Sequence, residues 1–246
     1  MSLAQPVSPL LSQEELAATA VELRSAPAEQ ILAWAERRFG SRAAIASSFG
    51  AEDVVLIDLA RQHAPSVRLF TLDTGRLPPE TYELIETLRK RYGLEVETFF
   101  PQRERVETLV STQGYFSFRQ SLEARKECCA IHKVEPLKRA LAGRQAWITG
   151  MRREQSVTRT GVEAVEFDAD HGGLAKLNPL TAWSAKQVWS YIQENGVPYN
   201  VLHDRGYPSI GCAPCTRAVK PYEDERAGRW WWESADKKEC GLHVRG

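Results

Sequence analysis

Between residues 43 and 100 the chain alternates short apolar runs with helix-patterned segments: AAIASS, DVVLIDLARQHA, VRLFTLD, PETYELIETLRKRYG and LEVETFF. Such an alternation reads as β-α-β-α-β, the pattern of a parallel sheet with helices packed on it. It continues through a helix near HKVEPLKRALAG, a strand in QAWITG, strands around VEAVEFD and LAKLNPL, and a helix in SAKQVWSYIQENG with Ser184 as its N-cap. The predicted fold class is α/β, a doubly wound and mostly parallel sheet. Upstream, Ser12 and Glu15 make a capping box in SQEEL, and a second helix is expected from Pro27 to Phe39, ended by Gly40. The organisation expected is N-terminal helices over 1–40, the α/β domain over 41–220 and a C-terminal segment over 221–246. From Val197 onward Pro, Gly, Arg and Trp occur without a period, which predicts irregular structure over the sheet's edge, where functional residues concentrate.

Open α/β sheets bind ligands outside the carboxyl ends of their strands, so the strand ends carry the first functional reading. One β-run stops at Ser47 and Ser48, with Gly50 in the turn and a helix beginning near Glu52. Small hydroxyl residues and glycine there would leave backbone N–H groups at a helix N-terminus facing a phosphate; the plain alternative is an ordinary turn with serine caps. A second strand ends in TLDTGRLPPE, where Asp73 either faces a ligand or caps the next helix. A third ends in WITGMRREQS, which brings Gly150 and several arginines to the same rim. Three such ends in one sheet point to a nucleotide crevice.

The chain has five cysteines, too few and too unevenly spaced for a secreted disulfide framework. Cys128 and Cys129 are adjacent in KECCAIHK, and Cys212 and Cys215 form C-x-x-C in GCAPC. Two thiolate pairs can hold zinc or an iron–sulfur cluster. Structural zinc usually takes pairs with a spacer, which Cys128-Cys129 lacks, whereas a [4Fe–4S] cube offers a separate iron to each sulfur. The bland reading is two buried cysteines with a disulfide-forming C-x-x-C. Cys240, in KECGLH, is left over. Lys237, Lys238 and His243 nearby would favour its thiolate, and Glu239 opposes it. Lys133, Arg226 and Arg229 suit phosphate or sulfate oxygens, unless they form a solvated face with Asp224 and Glu225. Trp230, Trp231 and Trp232 are read as packing anchors.

Thirty-two basic residues balance thirty-two acidic ones, so no overall field favours nucleic acid or an anionic membrane. No apolar run approaches a bilayer span, and the first residues lack a secretory pattern, which predicts a cytoplasmic protein. A homo-oligomer stays open.

Taken together, SSFGAED at 47–53, LDTGRL at 72–77, ECC followed by HKV at 127–134, WITG at 147–150, SIGCAPCTR at 209–217, GRWWWE at 228–233 and KECGLH resemble the assimilatory adenylyl-sulfate (APS) reductases, from about residue 40 to the C-terminus. The resemblance implies an adenine nucleotide α-hydrolase-like fold with a modified PP-loop at SSFGAED. Phe49 and Gly50 stand where PP-loop ATPases carry paired glycines. It further implies that Ser48, Leu72, Gly150 and Arg159 meet the adenosine portion of APS, and that Lys133, Arg226, Arg229 and His243 meet its phosphosulfate. Cys128, Cys129, Cys212 and Cys215 would ligate a [4Fe–4S] cluster, and Cys240, on a mobile tail, would be the nucleophile. Thioredoxin, or a glutaredoxin-like donor, would be the reductant. Reduction of the 3′-phosphorylated nucleotide, PAPS, is the near alternative. More distant ones are a PP-loop tRNA thiolation enzyme and a zinc-stabilised interaction module.

Overall fold

The computed structural model describes residues 10–155 and 159–234. Cys240 and His243, and the expectation of a mobile tail around them, lie outside the described residues.

Two helices open the chain, α1 (Gln13–Glu22) and α2 (Ala28–Phe39). The capping box forms as expected: Glu15 N–H donates to Ser12 Oγ at 3.1 Å, and Ser12 N–H donates to Glu15 Oε2 at 2.7 Å. The alternating part follows as β1 (Ala43–Ser47), α3 (Ala51–His63), β2 (Arg68–Leu72), α4 (Pro79–Tyr92) and β3 (Glu97–Phe99). After α5 (Arg103–Gln113), α6 (Leu122–Cys129) runs through one π turn, Ala130–Val134, into α7 (Glu135–Leu141). Then come β4 (Ala146–Ile148), β5 (Val165–Asp168), β6 (Leu174–Leu177) and α8 (Ala185–Glu194), which Ser184 caps.

The strands form one six-stranded sheet in the order β3-β2-β1-β4-β6-β5, parallel except for β5 against β6. Successive strand residues face opposite sides. Ala43, Ile45, Ala146, Ile148, Ala175 and Leu177 join the larger core with α1, α2, α3 and α8, while Ala44, Phe70, Trp147 and Leu174 pack with Leu137, Ala140 and Leu141 of α7 on the other side. The N-terminal helices thus share the sheet's own core, through Leu16, Ile31, Leu32 and Phe39.

Helix α3 is buried along most of its length, and its carboxylate Asp58 is satisfied inside the protein by the hydroxyls of Tyr92 (2.7 Å) and Tyr191 (2.8 Å). From β1 the chain winds outward to β2 and β3, then crosses back to β4 on the other flank of β1. The strand order therefore reverses between β1 and β4, and the crevice of a doubly wound sheet opens at such a point. No helix among the described residues is long and apolar enough to cross a membrane.

Candidate active site

A cavity of about 220 Å³ lies over the carboxyl ends of β1, β2 and β4. Ser48, Leu72, Gly150, Arg159, Lys133, Arg226 and Arg229 all line it. The fold thus gathers the described substrate-binding candidates, drawn from positions 48 to 229, around one space.

At the end of β1, Phe49 adopts the left-handed conformation (φ 59°), with its N–H donating to Ser47 Oγ at 3.0 Å and its ring buried. A non-glycine residue there is strained. The turn expected at Gly50 is thus made by Phe49, while Gly50 is extended and serves as the N-cap of α3. Ser48 also departs from expectation. Its N–H and its hydroxyl both donate to Asp53 Oδ2, at 2.6 and 2.8 Å, so the first-turn carboxylate of α3 already occupies the donors expected to face a phosphate. Burial outweighs those two hydrogen bonds and pushes Asp53 up to about 6.

Arg152, 3% exposed, donates to Glu52 Oε1 at 2.7 Å and lies 3.7 Å from Glu225 Oε2, tying the end of β4 to α3 and to the C-terminal segment. At the end of β2, Asp73 is turned away from the cavity wall, which Leu72 and Thr74 line. It accepts from Gly75 N–H (2.8 Å) and Tyr82 Oη (2.9 Å), closing its own loop, and Pro78 stands at the N-cap position of the helix that follows, with no side-chain cap.

Beside this cavity is a smaller one lined by Cys128, Cys129, Cys212, Cys215, Arg76, Arg125, His132, Lys133, Arg229 and Trp230. Lys133 lies on the wall of both. It sits there because the helix from α6 to α7 widens by one residue: Glu135 N–H returns to Ala130 O. Pro136 has no N–H to give His132 O, which accounts for the widening at this place, and such π turns recur at functional sites.

None of these four cysteines is in a disulfide, and the two pairs lie on separate elements. The first pair ends α6; the second brackets a single 3₁₀ turn, where Cys215 N–H donates to Cys212 O at 2.9 Å. Thr74 Oγ1 is 3.3 Å from Cys212 Sγ, and Arg76 Nη1 is 3.8 Å from Cys128 Sγ. Burial pushes the Cys128 thiol up to about 11 and Cys215 up to about 12. Trp230 Nε1 and Arg229 Nε are buried donors with no acceptor among the described residues. No group of three or more His, Cys, Asp or Glu side chains among the described residues converges closely enough to hold one metal ion. Of the tryptophans, Trp230 is fully buried, Trp232 packs against the cysteine region and Trp231 is exposed.

His203 was not foreseen. It lines the main cavity with both ring nitrogens buried and unpartnered among the described residues, held edge-on to Trp189 at 5.1 Å, and burial lowers its pKa. Glu225, read from sequence only as a solvated partner for the arginines, lines the cavity as well, and burial raises its carboxyl against the pull of Arg152.

A doubly wound sheet with a basic crevice over its switch point, beside a four-cysteine pocket, defines an adenine nucleotide α-hydrolase-like enzyme. Residues 42–218 match the phosphoadenosine phosphosulfate reductase domain model, and the chain belongs to that family of oxidoreductases. It is 51% identical over 233 residues to the adenosine 5′-phosphosulfate reductase of Allochromatium vinosum, covering 95% of this chain and 90% of that one. It is 47% identical to the enzyme of that name from Pseudomonas aeruginosa, over 98% of this chain and 91% of the relative. The crystal structure of phosphoadenylyl-sulfate reductase from Candida auris superposes with a TM-score of 0.73 at 30% identity, covering 86% of this chain and all of that one. Candida glabrata FMN adenylyltransferase, with a TM-score of 0.55 at 16% identity over 94% of this chain and 78% of that one, shares the fold alone.

Proposed function

We propose that this protein reduces adenosine 5′-phosphosulfate to sulfite and AMP in sulfate assimilation, towards cysteine, with Cys240 as nucleophile and a thioredoxin-class dithiol protein as reductant. The observation that carries the reading is the convergence of Ser48, Leu72, Gly150, Arg159, Lys133, Arg226 and Arg229 on one cavity. Relatives named adenosine 5′-phosphosulfate reductase, matched along nearly the whole chain, support the choice of nucleotide.

In the first step the Cys240 thiolate attacks the sulfur of the phosphosulfate. A sulfur–sulfur bond forms, the bond from sulfur to the bridging oxygen breaks, and AMP leaves with that electron pair. Lys133, Arg226 and Arg229 balance the charge on the sulfate and phosphate oxygens as it redistributes. In the second step a carrier thiolate attacks Cys240 Sγ, sulfite leaves with the electron pair, and the carrier's second thiol resolves the mixed disulfide. Two electrons thus pass from a dithiol to the sulfur. Cys240 must meet a sequestered nucleotide and then an outside protein, so a segment that closes and reopens is what the chemistry requires.

The four-cysteine pocket suits a [4Fe–4S] cluster held by Cys128, Cys129, Cys212 and Cys215. The directly adjacent pair favours a group with separate irons, and the cationic Arg76, Arg125, Lys133 and Arg229, with Trp230 Nε1 lacking an acceptor among the described residues, suit an anionic one. When bound, the cluster supplies negative charge beside Lys133 and needs no redox turnover, since the carrier brings the electrons.

The test is to mix the protein with ³⁵S-labelled APS, or in a parallel arm PAPS, without reductant. Label on the Cys240 peptide by mass spectrometry, strongest with APS and absent in Cys240→Ser, is expected. Undiminished sulfite release by Cys240→Ser overturns the scheme, and preferential labelling by PAPS overturns the choice of nucleotide.

A further inference from the structure

Arg125 stands one turn before Cys129 on α6, the spacing that brings two side chains together on a helix face, and it hydrogen-bonds the Cys129 side chain. Its side chain is 1% exposed. Glu233 holds the guanidinium from a second side, with Nε donating to Oε1 at 3.0 Å and Nη2 to Oε2 at 2.9 Å. The Trp230 ring covers it from a third, its centroid 4.8 Å from the guanidinium carbon. Glu233, 8% exposed, is set in place by the backbone: Trp230 N–H donates to Cys215 O at 3.1 Å, and Glu233 N–H to Trp230 O at 2.8 Å. Arg125, Cys129 and Trp230 line the four-cysteine cavity, whereas Glu233 stands behind Arg125 and off its wall.

A cation beside a metal-ligating thiolate stabilises whichever state of the metal group carries more negative charge, so Arg125 alone would favour the reduced state. Buried charges are weakly screened by solvent, which makes that pull large. A carboxylate bonded twice to the same guanidinium cancels most of it at short range. What survives is local, because an Arg125 N–H still serves Cys129. Charge and hydrogen bond are thereby divided between two residues: Arg125 supplies the bond, and Glu233 removes the net charge that would come with it.

We propose that Glu233 is a positioning residue that acts through Arg125 on Cys129, holding down the reduction potential of a cluster ligated there while leaving the hydrogen bond to the sulfur intact. A cluster held in this way stays oxidised beside a dithiol carrier, and the carrier's electrons go to the substrate sulfur. The inference rests on the proposed cluster, but its readout needs neither substrate nor turnover.

The experiment is a redox titration of the full-length, cluster-loaded protein, followed by its visible band, together with resonance Raman spectra of the oxidised form. Glu233→Gln removes the compensating charge and is expected to raise the potential. Its iron–thiolate stretching bands should stay near those of the parent, because Arg125 still bonds Cys129. The double variant Arg125→Met/Glu233→Met leaves no lone buried charge and takes the hydrogen bond away as well. It is expected to lower the potential below the parent's and to move the iron–thiolate bands to higher frequency, since a thiolate relieved of a donor binds its iron more strongly. A pair that only braced the fold would lower the melting temperature of both variants and leave potentials and bands unmoved. A potential in Glu233→Gln at or below the parent's, or a double variant whose potential does not fall or whose bands do not rise, would each overturn the proposal. Should the single variant not fold, the double variant still decides it. A parent that stays colourless after reconstitution with iron and sulfide would remove the cluster reading and this inference with it, whereas a coloured protein with the wrong order of potentials removes the inference alone.

Discussion

A Cβ atom on Gly150 would lie 2.6 Å from Asp53 Oδ1 and 2.9 Å from Glu52 Cβ, so the end of β4 and the first turn of α3 meet at a distance that only glycine allows. Neither neighbour can yield easily: Asp53 is pinned by Ser48 and Glu52 by Arg152. Gly150→Ala is therefore expected to cost about 1–3 kcal/mol by overpacking. It should also weaken AMP binding, because the loop it pushes on walls the cavity. Urea unfolding and calorimetric titration with AMP check both; an unchanged midpoint would mean the contact is slack.

Asp53 gives the stability a particular pH dependence. Its carboxyl titrates near 6 when folded and at 3.8 when unfolded, so between those values the native state holds a proton that the unfolded chain has lost. Stability from this group is fully present below about pH 4, falls as pH rises, and is gone above about pH 6. A shift of about two units corresponds to an order of 2–3 kcal/mol. Asp53→Asn cannot ionise, so its stability relative to the parent should rise by that order between pH 4 and 7. Urea unfolding at both ends of that range measures it, and a flat difference would show that Asp53 does not titrate there.

The parallel sheet and its crevice were legible because both are written locally. Apolar runs switch to helical periodicity, and the strand ends at Ser48, Leu72 and Gly150 carry small or turn-forming residues. What local pattern could not carry is whatever tertiary contact creates. Phe49 takes the strained conformation because its ring is drawn into the core, although a glycine stands next to it. Asp73 turns inward because Tyr82, one helical turn into α4, reaches back to it. The Arg125–Glu233 pair joins residues 108 apart, and no periodicity signals it. His203 had no local mark at all, whereas the π turn that places Lys133 had one in Pro136.

Thr74, 2% exposed, places its hydroxyl 3.3 Å from Cys212 Sγ and accepts from Arg76 N–H at 3.2 Å. Thr74→Val keeps the shape and removes the hydroxyl. In the cluster-loaded protein this should lower the reduction potential, because a ligating thiolate that loses an O–H donor becomes more electron-rich. The lost acceptor for Arg76 should cost about 1 kcal/mol of stability. A redox titration followed by the visible band separates the two effects, and an unmoved potential would mean that the hydroxyl does not serve the sulfur.

Arg229 can be displaced without being mutated. A Cβ on Gly211 would fall 2.2 Å from Arg229 Nη2 and 2.5 Å from Cζ. The guanidinium has little room to retreat, since it lies 4.7 Å from the Trp230 ring centroid, donates to Ile210 O at 3.3 Å and is 6% exposed. Gly211→Ala must therefore either drive that cation out of its place on the cavity wall or shift the 3₁₀ turn that carries Cys212 and Cys215. Melting and, in protein loaded with the proposed cluster, its visible band distinguish the two, because a moved turn would disturb the band. With the band intact, loss of one charge-assisted contact should raise the Kd for AMP by about 10- to 100-fold. Arg229→Met should match it, since both remove the same cation from the same place. If Gly211→Ala binds AMP like the parent while Arg229→Met does not, the guanidinium has found a second route to the phosphate, and the rigidity assigned here to that wall is wrong.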